Sequence, residues 1–72
     1  MTEVKDMNNK LLEFRNQNEL TQKEIAEVIH KTTSFYGMLE TGKRKPSIDV
    51  AYSLARFYNT TIEEIFFVAK TT

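Results

Sequence analysis

The chain has 72 residues, of which 40% are hydrophobic and 28% charged, with ten basic and ten acidic side chains. This composition fits one small folded domain and excludes a disordered chain, while the absence of cysteine excludes disulfides and thiolate metal sites. No apolar run approaches the ~20 residues of a membrane helix, and the N-terminus has no hydrophobic signal core, so we expect a cytoplasmic protein.

The first helix is predicted over about residues 5–17. Its apolar side chains recur at the spacing of one helical face, and they are Val4, Met7, Leu11 and Phe14. The helix is expected to end near Asn18, because asparagine tolerates the left-handed conformation of a C-cap.

The second helix is predicted to begin after Thr21. Thr21 and Glu24 have the spacing of a capping box, in which the hydroxyl and the carboxylate each accept a hydrogen bond from a free backbone N–H. Leu20 can pack onto Ile25 just outside this cap. The inward residues of this helix are expected to be Ile25, Val28 and Ile29.

The third helix follows after a short turn. It is predicted to begin at Thr32 or Thr33 and to end near residues 39–40, since Gly42 favours a stop and Pro46 prevents continuation. Two short helices joined by a tight turn, the second beginning with small polar residues, are typical of a helix-turn-helix that enters the DNA major groove.

Two further helices complete the predicted fold. The fourth follows the N-cap Ser47 and ends near Asn59. The fifth begins at Thr61, where Thr61 and Glu64 have the spacing of a second capping box, with Ile62, Ile65 and Phe66 directed inward. No run of residues alternates as a strand would, so we predict an all-α, compact five-helix bundle.

The five helices are expected to form one domain over residues 1–72. Its core is predicted over about residues 7–67. Residues 1–6 and 68–72 are expected to be flexible or dimer-linked ends.

Positive charge is concentrated around the third helix. Residues 31–45 contain four basic side chains and one acid, Glu40, which gives this segment a net charge of +3 in a chain of zero net charge. The basic residues are Lys31, Lys43, Arg44 and Lys45. They favour contact with a phosphate backbone, and the alternative is a solvated basic loop.

The residue pattern does not indicate an enzyme. His30 is the only histidine, so neither a metal ligand set nor a catalytic base is expected there. Glu63 and Glu64 are adjacent, and adjacent helical residues point about 100° apart, so they do not form an acid–base pair. With no nucleophile–base pair, metal cluster or phosphate loop, we expect no cofactor.

Four sequence pieces within about residues 8–67 carry a family resemblance. They are Phe14-Arg15, Leu20-Thr21-Gln22-x-Glu24-Ile25-Ala26, Leu39-Glu40-x-Gly42-Lys43-Arg44-x-Pro46-Ser47 and Thr61-Ile62-Glu63-Glu64-Ile65-Phe66. In this order and spacing they resemble the Cro and phage-repressor class of helix-turn-helix regulators, also called the XRE family. The resemblance implies a lambda-repressor-like domain that binds double-stranded DNA as a dimer.

The resemblance also implies individual roles. Gln22 matches a glutamine that contacts a phosphate, while Thr41 and Lys43 match positions that hold the adjacent DNA backbone. The base-reading positions are Thr33, Ser34 and Met38, although helix capping is the alternative role for the two hydroxyl residues. The complete predicted DNA-binding set is Gln22, Lys31, Thr32, Thr33, Ser34, Phe35, Met38, Thr41, Lys43, Arg44 and Lys45.

A structural ion pair is implied in the same way. Arg15 and Glu40 match a pair that joins the first helix to the end of the third, and the alternative is two separate surface charges. If the pair is buried, removing one partner leaves a stranded charge.

The chain departs from the family pattern at its turns. His30 stands where a glycine with positive φ is usual, and histidine tolerates that conformation at some strain. Glu19 stands at another frequent glycine, which leaves Asn18 as a possible left-handed residue. Tyr36 replaces a buried aliphatic residue, so its hydroxyl needs a partner or an exit to water.

Two phenylalanines have open alternatives. Phe35 lies off the inward stripe, so it either contacts a thymine methyl group or packs on the first turn of the fourth helix. Residues 65–68 cannot all point inward, so Phe67 is expected to be exposed and to join a dimer contact, unless it packs back on the first helix. The predicted dimer contact is Phe66, Phe67 and Val68.

The sequence therefore predicts a DNA-binding transcriptional regulator, expected to be a repressor acting as a homodimer on a partly palindromic operator. One alternative is an antitoxin or a restriction–modification controller with the same fold. Another is a protein-interaction module that has lost DNA binding. A separate partner protein is one way in which so short a chain can be regulated.

Overall fold

A computed structural model describes residues 9–67 and contains five α-helices in that range. They are α1 (Leu11–Gln17), α2 (Gln22–Val28), α3 (Thr33–Thr41), α4 (Ile48–Phe57) and α5 (Ile62–Phe66). No strand occurs within the described range. α2 packs against α3, α4 against α5, and α1 against α3. The predicted all-α class and the five-helix order are confirmed.

The first helix begins later than predicted. Asn9 and Lys10 are not helical, and residues 1–8 lie outside the described residues. The Asn9 side chain accepts a hydrogen bond from Leu11 N at 3.1 Å and donates one to Leu39 O at 2.8 Å. The Asn9 side chain thus forms hydrogen bonds with backbone groups that compete with a helical conformation at this residue. This competition explains why the predicted helix over residues 9–10 is wrong.

Side-chain caps begin the other four helices. At α2 the predicted capping box is confirmed, because Thr21 Oγ1 accepts from Glu24 N at 3.1 Å and Glu24 Oε1 accepts from Thr21 N at 2.8 Å. At α5 only half of the predicted box forms. Thr61 Oγ1 accepts from Glu64 N at 3.1 Å, but the Glu64 carboxylate accepts from the Thr60 hydroxyl at 2.6 Å. The N-caps of α3 and α4 are Thr32 and Ser47.

Left-handed residues turn the chain between helices. They are Glu19 (φ 56°), His30 (φ 61°), Gly42 (φ 80°) and Asn59 (φ 59°). The positive φ expected at His30 is confirmed, whereas the left-handed conformation expected at Asn18 is wrong, since its φ is −100°. The Asn18 side chain donates to Phe14 O at 2.8 Å and keeps this residue on the helix end, so the bend falls on Glu19.

Every helix contributes to the core. The largest fully buried side chains are Leu11, Ile25, Tyr36, Leu39, Leu54 and Ile65. Val28 was expected to point inward but is 38% exposed, because Ile25, Ala26 and Ile29 already form the buried face of α2. Val4 and Met7 of the predicted first stripe lie outside the described residues.

Candidate nucleic-acid interface

The start of α3 presents two hydroxyl side chains to solvent. Thr32 is the N-cap, and its Oγ1 accepts a hydrogen bond from Phe35 N at 3.0 Å. Thr33 and Ser34, the first two residues of the helix, are exposed. Because Thr32 provides the cap, these two hydroxyls are accessible to a ligand. A hydroxyl both donates and accepts, so it fits either a base edge or a phosphate oxygen.

Four exposed cations lie before and after α3. They are Lys31, Lys43, Arg44 and Lys45. Gly42 reverses the chain at the end of the helix with φ 80°, and Arg44 N then donates to Met38 O at 3.2 Å. This backbone bond holds residues 43–45, the basic loop, against the end of α3.

The last part of α3 contains two further predicted contacts. Met38 is half-buried, whereas Thr41 is exposed. Thr41 Oγ1 donates to Met38 O at 3.3 Å. A phosphate accepts hydrogen bonds, so contact with one requires the Thr41 hydroxyl to turn away from this carbonyl.

Phe35 joins the core to two of the cations. Its ring is half-buried and packs against the core, with Lys31 Nζ at 5.3 Å and Arg44 Cζ at 4.8 Å from the ring centroid. Both distances are within cation–π range. Lys31 precedes the helix, so no helical spacing indicated its contact with the ring, and the Arg44 contact depends on the folded loop. The contact with a thymine methyl group remains a prediction.

The side chain of Gln22, at the first position of α2, is held by α3. Its Nε2 donates to Glu40 Oε1 at 3.0 Å. The amide also lies over Gly37, where an added Cβ would come within 3.6 Å of Gln22 Oε1. One Nε2 hydrogen is thus used inside the protein, and the second is available for the predicted phosphate contact. No sequence signal indicated the bond to Glu40.

Arg15 and Glu40 form a largely buried ion pair. Arg15 Nε lies 2.5 Å from Glu40 Oε2, Arg15 Nη2 donates to Oε1 at 3.2 Å, and the side chains are only 15% and 7% exposed. Arg15 Nη1 also donates to Leu20 O at 2.9 Å. The guanidinium therefore joins α1, the turn before α2 and the end of α3.

The network sets the protonation of its members. Burial acts to raise the pKa of Glu40, but hydrogen bonds from Arg15 and Gln22 outweigh it and hold the pKa below its ordinary value. The hydrogen bond to Glu40 raises the pKa of Arg15. Both groups are therefore charged at neutral pH.

Two tyrosine hydroxyls are buried near this pair. Neither Tyr36 Oη nor Tyr58 Oη has a hydrogen-bond partner among the described residues. Burial, and then the proximity of Tyr58 and Glu40, raises the pKa of Tyr36 far above its ordinary value, and burial also raises the pKa of Tyr58. Tyr36 is 0% exposed, so its hydroxyl does not reach bulk water. The sequence predicts a partner or an exit to water for this hydroxyl, and the exit to water is therefore wrong.

Two of the predicted dimer residues, Phe66 and Phe67, lie at the end of α5. Phe67 is 70% exposed, which contradicts packing back on α1, whereas Phe66 packs partly on the core. Val68 lies outside the described residues. An open groove of about 490 Å³ beside Phe67 is also lined by Pro46 and by Ile48, which is 72% exposed and which sequence reasoning missed.

Within residues 9–67, no helix has the length and apolar character needed to cross a membrane. The same residues contain no group of three or more histidine, aspartate or glutamate side chains placed to hold a metal ion.

Comparisons with known proteins agree with this geometry. The sequence matches the family model described as helix-turn-helix over residues 11–65. An uncharacterized HTH-type transcriptional regulator of Archaeoglobus fulgidus is 38% identical over 60 residues, which cover 83% of this chain and 84% of that protein. A second such protein of A. fulgidus is 37% identical over 60 residues, 83% of this chain and 86% of its own length. One from Methanocaldococcus jannaschii is 35% identical, over 83% and 91% of the two chains.

Two short packed helices, a turn through His30 and an exposed second-helix start define a helix-turn-helix domain. The chain belongs to the XRE-type helix-turn-helix family of DNA-binding regulators. It is not an enzyme.

Proposed function

We propose that the chain is a sequence-specific repressor that binds a partly palindromic operator as a homodimer. The observation that carries the proposal is the exposed start of α3, where Thr33 and Ser34 lie between the flanking cations. Accessible hydrogen-bonding side chains on a short helix fit the major groove, and cations beside them fit the phosphates. The relatives described as HTH-type transcriptional regulators support the same class.

Base readout is assigned to the exposed side of α3. Thr33 and Ser34 offer hydroxyl donors and acceptors to base edges, and Met38 offers an apolar thioether. None of these side chains makes the bidentate base contact that arginine or glutamine can make. We therefore expect moderate discrimination between bases, with part of the preference coming from DNA shape.

Phosphate binding is assigned to the groups around α3. The basic loop and Lys31 supply charge, while Gln22, Thr32 and Thr41 supply uncharged hydrogen-bonding groups. Phosphate contacts of this kind release counterions, so the affinity for DNA falls steeply as salt rises. The zero net charge of the chain does not oppose this role, because the positive charge is local to residues 31–45.

Dimer formation is assigned to Phe66, Phe67 and Val68. The high exposure of Phe67 supports a contact in which the same apolar patch of two copies meets across a two-fold axis. Such a dimer presents two α3 helices to successive major grooves, ~34 Å apart.

A selection from a random pool of duplex DNA tests the proposal. The full chain is expected to enrich one motif with two related half-sites about one helical turn apart. A reporter carrying that motif over its promoter is expected to be repressed, and activation instead would reject the repressor role. If no DNA is retained even at low salt, the protein-interaction alternative replaces the proposal.

The dimer contact has its own test. Phe67→Glu is expected to give a monomer in analytical ultracentrifugation, because the substitution places charge in the apolar contact. Leu12→Glu changes another exposed apolar residue, 49% exposed on α1, and is expected to leave the dimer intact. A Phe67→Glu protein that remains dimeric at micromolar concentration would remove this contact from the proposal.

A further inference from the structure

Phe35 occupies an unusual position on the proposed DNA-binding surface. It lies in the first turn of α3, directly after the two exposed hydroxyl residues, yet its ring packs on the core. The inner side of the ring is thus fixed by packing, while the residue remains partly exposed. An aromatic ring anchored in this way can serve as a rigid surface for other side chains.

Two cations from opposite ends of α3 each contact this ring. Lys31 comes from the turn before the helix and Arg44 from the basic loop after it, with 5.3 Å and 4.8 Å from charged group to ring centroid. The Arg44 backbone is fixed as well, through its bond to Met38 O. Both side chains are positively charged, so an anion that binds near the ring is attracted to each of them.

We propose that Phe35 is a positioning residue for DNA-backbone contacts: its ring holds Lys31 and Arg44 together as one phosphodiester-binding pair beside the start of α3. The inference rests on the proposed DNA-binding function and assigns Phe35 a role in affinity, not in base recognition. Long cationic side chains lose conformational freedom when they bind a phosphate. Contact with the ring already restricts these side chains in the free protein, so they lose less conformational freedom when DNA binds.

The Phe35→Leu substitution separates these roles. Leucine keeps an apolar side chain on the core but removes the π face, so affinity for the selected operator and for unrelated DNA is expected to fall by the same factor, roughly three- to tenfold. Fluorescence anisotropy over a range of salt concentrations measures both affinities. Phe35→Tyr retains the ring and is expected to keep the wild-type affinity.

A matched control lies on α4. Arg56 Cζ is 5.6 Å from the Tyr52 ring centroid, and this cation–π contact lies outside the proposed interface. Tyr52→Leu is expected to leave DNA affinity unchanged. Thermal unfolding of each variant shows whether any loss of affinity follows from loss of folded protein.

A double-mutant cycle with Arg44→Gln completes the test. If Phe35 acts through Arg44, the Arg44→Gln substitution weakens DNA binding less in the Phe35→Leu background than in the wild type. Additive effects, or a loss confined to DNA with a thymine at one position, would overturn the inference while leaving DNA binding itself intact. Wild-type protein that binds no DNA would instead contradict the proposed function.

Discussion

The two ends of α3 serve different purposes. At its C-terminal end Glu40 is 7% exposed and bonded to Arg15 and Gln22, so two other helices hold this end in place. At its N-terminal end Thr33 and Ser34 face solvent, and Thr32 provides the cap. One helix of nine residues therefore has an anchored end and a free end.

This difference shows how a domain with a small core can hold exposed polar groups in a fixed position. Contact with DNA requires accessible polar groups, and such groups contribute little to folding. The buried ion pair at the other end fixes the direction of the helix, so the accessible groups keep one position. Substitutions at the two ends should therefore change different properties, stability at one and DNA binding at the other.

The largest expected effect comes from breaking the anchored end. Glu40→Gln leaves the buried Arg15 guanidinium without a countercharge, which is expected to reduce the free energy of unfolding by about 3 kcal/mol. Urea denaturation measures the loss. Glu27→Ala, an exposed acid on α2, is the matched control and is expected to change stability by less than about 0.5 kcal/mol. A loss below about 1 kcal/mol for Glu40→Gln would mean that the pair behaves as a surface salt bridge.

The same substitution should change the pH dependence of stability. The pKa of Glu40 is lowered in the folded protein, so its contribution is fully present above the ordinary pKa of 4.5 and is lost as pH falls through the folded value. The difference in stability between wild type and Glu40→Gln is therefore expected to shrink in acid. A difference that stays constant from neutral pH to pH values well below 4.5 would exclude the charge of Glu40 as its cause.

The next effect concerns the basic loop that follows the anchored end. Lys43→Ala with Lys45→Ala is expected to weaken binding to every sequence by at least tenfold and to flatten the logarithmic salt dependence by about two. The fold should remain, because both side chains are exposed. A control that removes two cations elsewhere, Lys10→Ala with Arg56→Ala, is expected to keep the wild-type slope. An unchanged slope in the loop variant would remove both lysines from the phosphate contacts.

A smaller effect is expected at the free end itself. Thr33→Ala with Ser34→Ala should lower the preference for operator over unrelated DNA by roughly tenfold while leaving thermal stability unchanged. Thr32→Ala is the contrasting variant, since loss of the N-cap is expected to reduce stability by about 1 kcal/mol. If the double variant retains full operator preference, this end of α3 does not read bases.

Local rules explain what the sequence revealed of this fold. The capping box at Thr21, the stop at Gly42 and the N-cap Ser47 depend on neighbouring residues, so their patterns could be read directly. The second box at Thr61 was only half right, because the Thr60 hydroxyl competes for the same carboxylate. This competition is also between neighbouring residues. The sequence alone does not show whether the Glu64 carboxylate accepts from the Thr61 backbone N–H or from the Thr60 hydroxyl.

The site was less readable because its contacts are long-range. Family resemblance implied the Arg15–Glu40 pair, but no pattern indicated that Gln22 would bond to the same carboxylate. The approach of Arg44 to Phe35 requires the loop after α3 to fold back, which spacing does not show. The residue types at the surface were predictable, whereas their mutual contacts required the packed helices.

The smallest expected effect concerns the turn before α2, where one substitution is expected to increase stability without changing DNA affinity. Glu19 adopts φ 56° next to Leu20, whose carbonyl accepts from Arg15. Glu19→Gly relieves left-handed strain and is expected to increase stability by about 0.5 kcal/mol after the entropy of glycine is included. Asn18→Gly, where φ is −100°, has no strain to relieve and is expected to reduce stability. Urea denaturation and operator binding together decide the point, because Glu19→Gly should change stability and leave DNA affinity as it is. A simultaneous change in affinity would show that the turn before α2 also controls the free end of α3.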